Sequence, residues 1–166
     1  SSMLYLVTSQ LWILSSSAAE GHLARVAAVT AADAVAAAKQ AASIVALLPA
    51  NNLAGPALFD FSAPSKALDL VKYTAADAVA ALADEGSAVE LYAGYGENVV
   101  TALATINGSA VGIVATEKKA LCHKCTAKAA RFVRLCDAYS IPVVTVVNTE
   151  GFGRSEGDDE AGGIRQ

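Results

Sequence analysis

Val99 to Thr116 reads VVTALATINGSAVGIVAT. Two apolar runs, Val99–Ile106 and Ala110–Thr116, flank the dipeptide Asn107-Gly108. Asn and Gly both tolerate positive φ, so Asn-Gly between two such runs predicts a tight β-hairpin. Downstream, Thr126 to Tyr139 has helical spacing, with Ala129, Phe132, Val133 and Cys136 on one face. Lys128, Arg131 and Arg134 fall largely off that face, as on an amphipathic helix. Ile141-Pro142 breaks the pattern, and Val143 to Val147 is wholly β-branched. Such a run is expected of a parallel strand covered on both faces. Asn148 to Gly163 then carries five glycines, with a further helix expected near Ala161. Strand, helix, strand and glycine loop make a βαβ unit, so the fold class is α/β.

Upstream the signals are weaker. Met3–Thr8 reads as a buried strand and Ala24–Val29 as another, while Ser9–Gly21 has no clear period and Ser15–Ser17 read as loop. Thr30 is expected to cap a helix that has Asp33 in its first turn and ends at Leu47-Leu48-Pro49, because the residue before proline avoids the α region. Asn51–Lys66, with Gly and two prolines, reads as a linker. Ala88–Tyr92 is a further strand. The octapeptide TAADAVAA occurs at Thr30–Ala37 and again at Thr74–Ala81. The flanks do not match, so two helix starts with the same cap are expected in preference to a duplication.

The 166 residues carry a net charge of −4, with 54% hydrophobic and 17% charged residues. That composition suits a globular chain and argues against disorder. No dense basic run exists, which disfavours nucleic acid and anionic membranes as partners. Charges interrupt every long apolar stretch, so no membrane span is expected, and the N-terminus has no basic region ahead of its apolar run. Three cysteines argue against a disulfide framework and for a reducing cytoplasm.

Cys122-His123-Lys124-Cys125 is a CxxC. A zinc site needs four ligands, and the remaining cysteine, Cys136, lies within a helix. A redox pair needs the motif at a helix start after a strand, and Lys118-Lys119 intervene. The pair is therefore expected to be small packing residues in a loop, and no metal is expected. His22 and His123 accompany no nucleophile motif. Trp12, Phe59 and Phe61 are expected as core or packing residues rather than a stacking platform. The best site candidate is the turn Gly151-Phe152-Gly153, because the carboxyl ends of strands in open α/β sheets face the ligand crevice. Glycine there frees backbone amides for an anion or a carbonyl. The turn fits neither GxGxxG nor GK[ST], and a plain surface loop is the alternative.

Several segments in order resemble the carboxyltransferase subunits of biotin-dependent acyl-CoA carboxylases and the related decarboxylases. They are Leu47-Leu48-Pro49 with Asn51-Asn52, the stretch YAGYGENVVTALATINGSAVGIVAT from Tyr92, Lys128–Arg134, Cys136-Asp137-Ala138 with Ile141-Pro142-Val143, Gly151-Phe152 and Gly162-Gly163-Ile164-Arg165. The likeness is dense from Tyr73 to Arg165 and thin before Thr30. It implies a crotonase-like fold of ββα units, here incomplete. Residues 1–50 would be the tail of an N-terminal carboxyltransferase domain, 51–72 a linker and 73–166 the head of a C-terminal one.

The resemblance also implies a function. Two such domains hold an acyl-CoA and biotin on a partner biotin carboxyl carrier protein, and the carboxyl group moves between biotin and the carbon α to the thioester. Pairs of backbone amides would polarise the two carbonyls, a stabilisation that needs no ionisable group. Those oxyanion residues are expected outside this chain, so the fragment is expected to be inactive alone. Ala115, Thr116, Gly151, Phe152, Gly153, Gly162 and Gly163 are the implied substrate- and biotin-binding positions. Family members usually have an acid at Asn148 and a proline at Glu150, and the stretch Ala115–Lys119 is atypical. Exposed apolar faces predict a homo-oligomer or a complementary fragment. A non-catalytic scaffold of the same shape is the alternative. A crotonase-type hydratase or isomerase with Glu150 as base is a further one.

Overall fold

The computed structural model describes residues 4–8, 11–15, 27–51, 53–55, 58–69 and 71–153. Strands β1 (Leu4–Thr8), β2 (Leu11–Ser15) and β3 (Ala27–Ala31) form one sheet, with β1–β2 antiparallel and β2–β3 parallel. Helix α1 (Ala34–Leu47) follows, and then helix α2 (Ala75–Leu82). The second sheet has the order β4 (Val89–Leu91), β5 (Val99–Ile106), β6 (Ser109–Thr116), β7 (Val143–Val146). Its first three strands are antiparallel, and α3 (His123–Ala138) carries the chain over to β7, which pairs parallel with β6.

The hairpin is the centre of the fold. Asn107 and Gly108 take φ of 49° and 78°, as the Asn-Gly signal requires. Asp84, only 3% exposed, holds this turn: it accepts from the amides of Asn107 and Gly108 and from Thr105 Oγ1. Burial alone would raise its pKa, but these three bonds outweigh it and hold the carboxyl below its usual range. Gly108 cannot carry a side chain, because a Cβ there would lie 2.3 Å from the Phe59 carbonyl oxygen.

Both faces of β5 and β6 are buried. Val99, Leu103 and Val114 join a core with Phe132, Leu135 and Cys136 of α3 and with Ile44 and Leu47 of α1. Val100, Ala102, Ala104, Ile113 and Ala115 meet Ala75, Ala78 and Val79 of α2 on the other face. Helices on both sides of a sheet give a layered α/β arrangement. The two sheets share the first core, and Tyr92 N–H donates to Ala28 O at 2.7 Å between them. Tyr92 is buried with φ of 61°, and Arg131 lies 5.6 Å from its ring centre.

Several expectations are corrected. Leu11–Ser15 is a strand, so Ser15 is not loop. Thr30 lies in β3, paired with Leu14, and Asp33 is the true N-cap of α1, accepting from Ala36 N–H. Helix α3 begins at His123, three residues ahead of the predicted Thr126. Lys128 lies on its buried face at 2% exposure, while Val133 is 42% exposed. Of the two readings for Phe59 and Phe61, core or packing, the second holds: they are 38% and 52% exposed, and both lie against the hairpin turn at Gly108. The residues of β7 are half-buried or exposed, so this strand is parallel but not covered on both faces. The Trp12 side chain, His22, the helix expected near Ala161, Gly162 and Gly163 lie outside the described residues.

Candidate functional site

The carboxyl ends of β6 and β7 lie side by side, as a parallel pair must. Thr116 closes β6, and its Oγ1 accepts from Asn148 N–H at 2.7 Å just past β7. Beyond this point the chain after β6 and the chain after β7 remain joined. Thr149 Oγ1 donates to Lys119 O at 2.8 Å, and Glu150 N–H donates to Lys119 O at 3.3 Å. Leu121 N–H donates to Gly151 O at 2.8 Å, and Gly153 N–H donates to Leu121 O at 2.7 Å. Asn98 steadies the same connection from below, its Nδ2 donating to Ala120 O at 3.0 Å.

This network tests the predicted positions one by one. Ala115 has no exposed surface and serves the core. Thr116 is also buried and anchors Asn148. Gly151, Phe152 and Gly153 do form a turn at the strand ends, with Phe152 50% exposed and Val147 67% exposed nearby in sequence. Gly151 has φ of 110°, a conformation that suits glycine, and a Cβ there would meet nothing within 4 Å.

The amides expected to be free are engaged. Gly151 N–H donates to Thr149 Oγ1 at 3.2 Å, and Gly153 N–H to Leu121 O. Among the described residues the turn therefore shows room beside Gly151 and an exposed apolar ring, but these two amides do not make an oxyanion hole for a biotin or thioester carbonyl. Glu150 donates its N–H to Lys119 O, a bond that a proline at this position could not make. Its carboxylate is exposed, so no enclosed base stands there.

No sequence signal points to Leu121 or Asn98: Leu121 acts through backbone pairing and Asn98 through its side-chain amide, and the fold alone brings both to their partners. Thr149 was findable, because Thr two residues before a glycine favours a side-chain-closed turn. Lys128 was missed by a wrong face assignment. Burial pushes its ammonium below the ordinary lysine range, opposed by Glu90, Cys125 and Glu97. Among the described residues no group of three His, Cys, Asp or Glu could hold a metal.

The CxxC is also placed differently from expectation. Cys122 is the N-cap of α3 and Cys125 lies in its first turn, so the motif opens a helix that follows strand β6.

A hairpin, a crossover helix, a parallel strand and a glycine turn at the strand ends make this a layered α/β unit. The carboxyl transferase domain matches residues 18–166, and the chain belongs to that family. It is 36% identical over 126 residues to the methylmalonyl-CoA carboxyltransferase 12S subunit of Propionibacterium freudenreichii subsp. shermanii, covering 68% of this chain and 24% of that subunit. It is 37% identical over 98 residues to the propionyl-CoA carboxylase beta chain of Saccharopolyspora erythraea, covering 57% of this chain and 18% of that one. The crystal structure of transcarboxylase 12S with methylmalonyl-coenzyme A and methylmalonic acid superposes with a TM-score of 0.74 at 32% identity, covering 84% of this chain and 30% of that one. The fold is thus crotonase-like α/β, and the chain spans about a quarter of the 12S subunit it matches.

Proposed function

We propose that this chain is part of a carboxyltransferase that moves a carboxyl group between biotin and the α carbon of an acyl-CoA. The observation that carries this reading is the superposition of 84% of this chain on transcarboxylase 12S, whose structure holds methylmalonyl-coenzyme A. Residues 1–50 are taken as the tail of one carboxyltransferase domain, 51–72 as a linker and 73–166 as the start of the next. Biotin on a carrier protein would supply the mobile carboxyl group. The chain's own contribution is a contact surface: open space beside Gly151, the exposed Phe152 ring, and Gly153, with Gly162 and Gly163 further along. Thr116 and Ala115 position that surface from the core. Polarisation of the reacting carbonyls falls to residues other than Gly151 and Gly153, whose amides are spent internally.

We further take the protein to be cytoplasmic and oligomeric. The three free cysteines favour a reducing compartment, and transcarboxylase 12S is described as a hexamer. Among the described residues no helix is long and apolar enough to cross a membrane. Sedimentation of the full-length protein as a monomer at high micromolar concentration would contradict the oligomer.

The decisive experiment uses the full-length protein, free biotin and a panel of carboxylated acyl-CoAs labelled in the carboxyl group. Label passing to biotin supports the enzyme. Tight acyl-CoA binding with no transfer to biotin or to the carrier protein favours the scaffold reading.

A further inference from the structure

Cys122 and Cys125 have no part in the carboxyltransferase reading, yet the structure sets them up as a pair. Their sulfurs lie 2.6 Å apart, within roughly half an ångström of a bonded pair. Both are free thiols. Cys122 is half-buried and its side chain makes no capping bond. Cys125 has no exposed surface, and solvent reagents meet Cys122 first. The backbone around them is fixed: Cys125 N–H and Thr126 N–H both donate to Cys122 O, at 2.9 and 3.1 Å. Their side chains are thus held face to face in the first turn of α3. A strand followed by a helix that opens on CxxC is the setting in which dithiols cycle readily. Zinc is a poor occupant, because no third ligand joins the two cysteines among the described residues.

We propose that Cys122 and Cys125 close reversibly to a disulfide, making the start of α3 a redox modification site. The oxidant is a low-molecular-weight disulfide such as oxidised glutathione. The Cys122 thiolate attacks one of its sulfurs, forming a mixed disulfide and releasing one glutathione thiolate. The Cys125 thiolate then attacks Cys122 Sγ and expels the second glutathione. One disulfide is reduced and one formed, and the two protons lost by the cysteines end on the two glutathione thiols. In a reducing compartment the pair rests as the dithiol and closes only on oxidation. Burial raises the Cys125 thiol too, but its sulfur already lies against Cys122 Sγ; Cys136, on the buried face of α3 with burial pushing its thiol up to about 12, has no such partner among the described residues and takes no part.

The test equilibrates full-length protein with graded ratios of reduced to oxidised glutathione, quenches in acid, alkylates and maps peptides by mass. The peptide spanning 122–125 should lose both alkylation sites together at one midpoint, become lighter by two hydrogens, and recover fully with dithiothreitol. Cys136 should remain alkylatable after denaturation at every ratio. Cys125→Ser should accumulate glutathione on Cys122, and Cys122→Ser should react at least tenfold more slowly than the native protein. Alkylation of both thiols at every ratio would overturn the proposal. So would glutathione that stays on Cys122 in the native protein without being displaced, or a Cys122→Ser protein that reacts at the native rate.

Discussion

Asp33 and Asp77 stand at the same place in two copies of the octapeptide TAADAVAA, yet Asp33 caps α1 and Asp77 is the third residue of α2. In the second copy Thr74 and Asp77 form a capping box: Thr74 Oγ1 accepts from Asp77 N–H, and Asp77 accepts from Thr74 N–H. In the first copy Thr30 and Ala31 are held in β3 opposite Leu14 and Ser15, so the helix starts three residues later and Asp33 takes the cap. Strand pairing overrides an otherwise adequate local signal. Asp33→Ala and Thr74→Ala should each cost about 1 kcal/mol by urea denaturation, whereas Thr30→Ala removes no cap and should cost clearly less. An equal loss from Thr30→Ala would contradict the register shift.

Gly112 is required by α3 rather than by a turn. A Cβ there would lie 2.5 Å from Cys136 Sγ and 3.0 Å from the Phe132 ring. Gly112→Ala should destabilise by about 1–3 kcal/mol through overpacking. Adding Cys136→Ala removes the closest atom, so the double variant should be more stable than the sum of the two single losses predicts. Strict additivity in a chemical-denaturation cycle would mean that the helix simply shifts away.

Acid should loosen the hairpin. Burial raises the Asp84 pKa, but its bonds from Gly108, Thr105 and Asn107 lower it further, so the folded state holds the carboxylate more strongly than the unfolded chain does. Asp77 is lowered to about 2, first by its bond from Lys66 and then by Thr74. A depressed carboxyl gives stability that is full above its unfolded value, near about 4, and is lost as pH falls through the folded value. The urea midpoint should therefore drop between pH 5 and 2. Asp84→Asn should be less stable at pH 7 and show a shallower acid slope. An unchanged slope would show that Asp84 is not the group being titrated.

Gly151→Val in the full-length enzyme should keep the fold and lower carboxyl transfer. A Cβ at Gly151 would meet nothing within 4 Å among the described residues, so crowding at that atom does not account for a loss. The backbone at φ of 110° is strained by any side chain, at about 1–3 kcal/mol. Gly151→Ala carries that strain with far less bulk. A much larger drop for valine than for alanine places the ligand against Gly151, and unchanged turnover for both removes Gly151 from the site.

The hairpin, the crossover helix, the parallel strand and the stop at Pro49 were legible because each is encoded within a few residues. Asn107-Gly108 needs no distant partner to turn, and proline ends α1 by its own sterics. What failed were choices settled at a distance. Lys128 is buried on α3 with the charges of Glu90 and Glu97 favouring its ammonium, which no helical period reveals. β7 looked doubly covered because its composition is, while its residues are left half-open. The glycine turn was located correctly, but its amides are spent on Thr149 and Leu121, and Leu121 is an unremarkable leucine in sequence.

That pairing of Leu121 with the glycine turn has a mechanical meaning. It prolongs the β6–β7 seam past the last residue of either strand, so α3 starts from a splint rather than from a free tether. Tilting the first turn of α3 pulls on Leu121, and Leu121 pulls on Gly151 and Gly153. The glycine turn is thus tied, through Leu121, to the start of the helix.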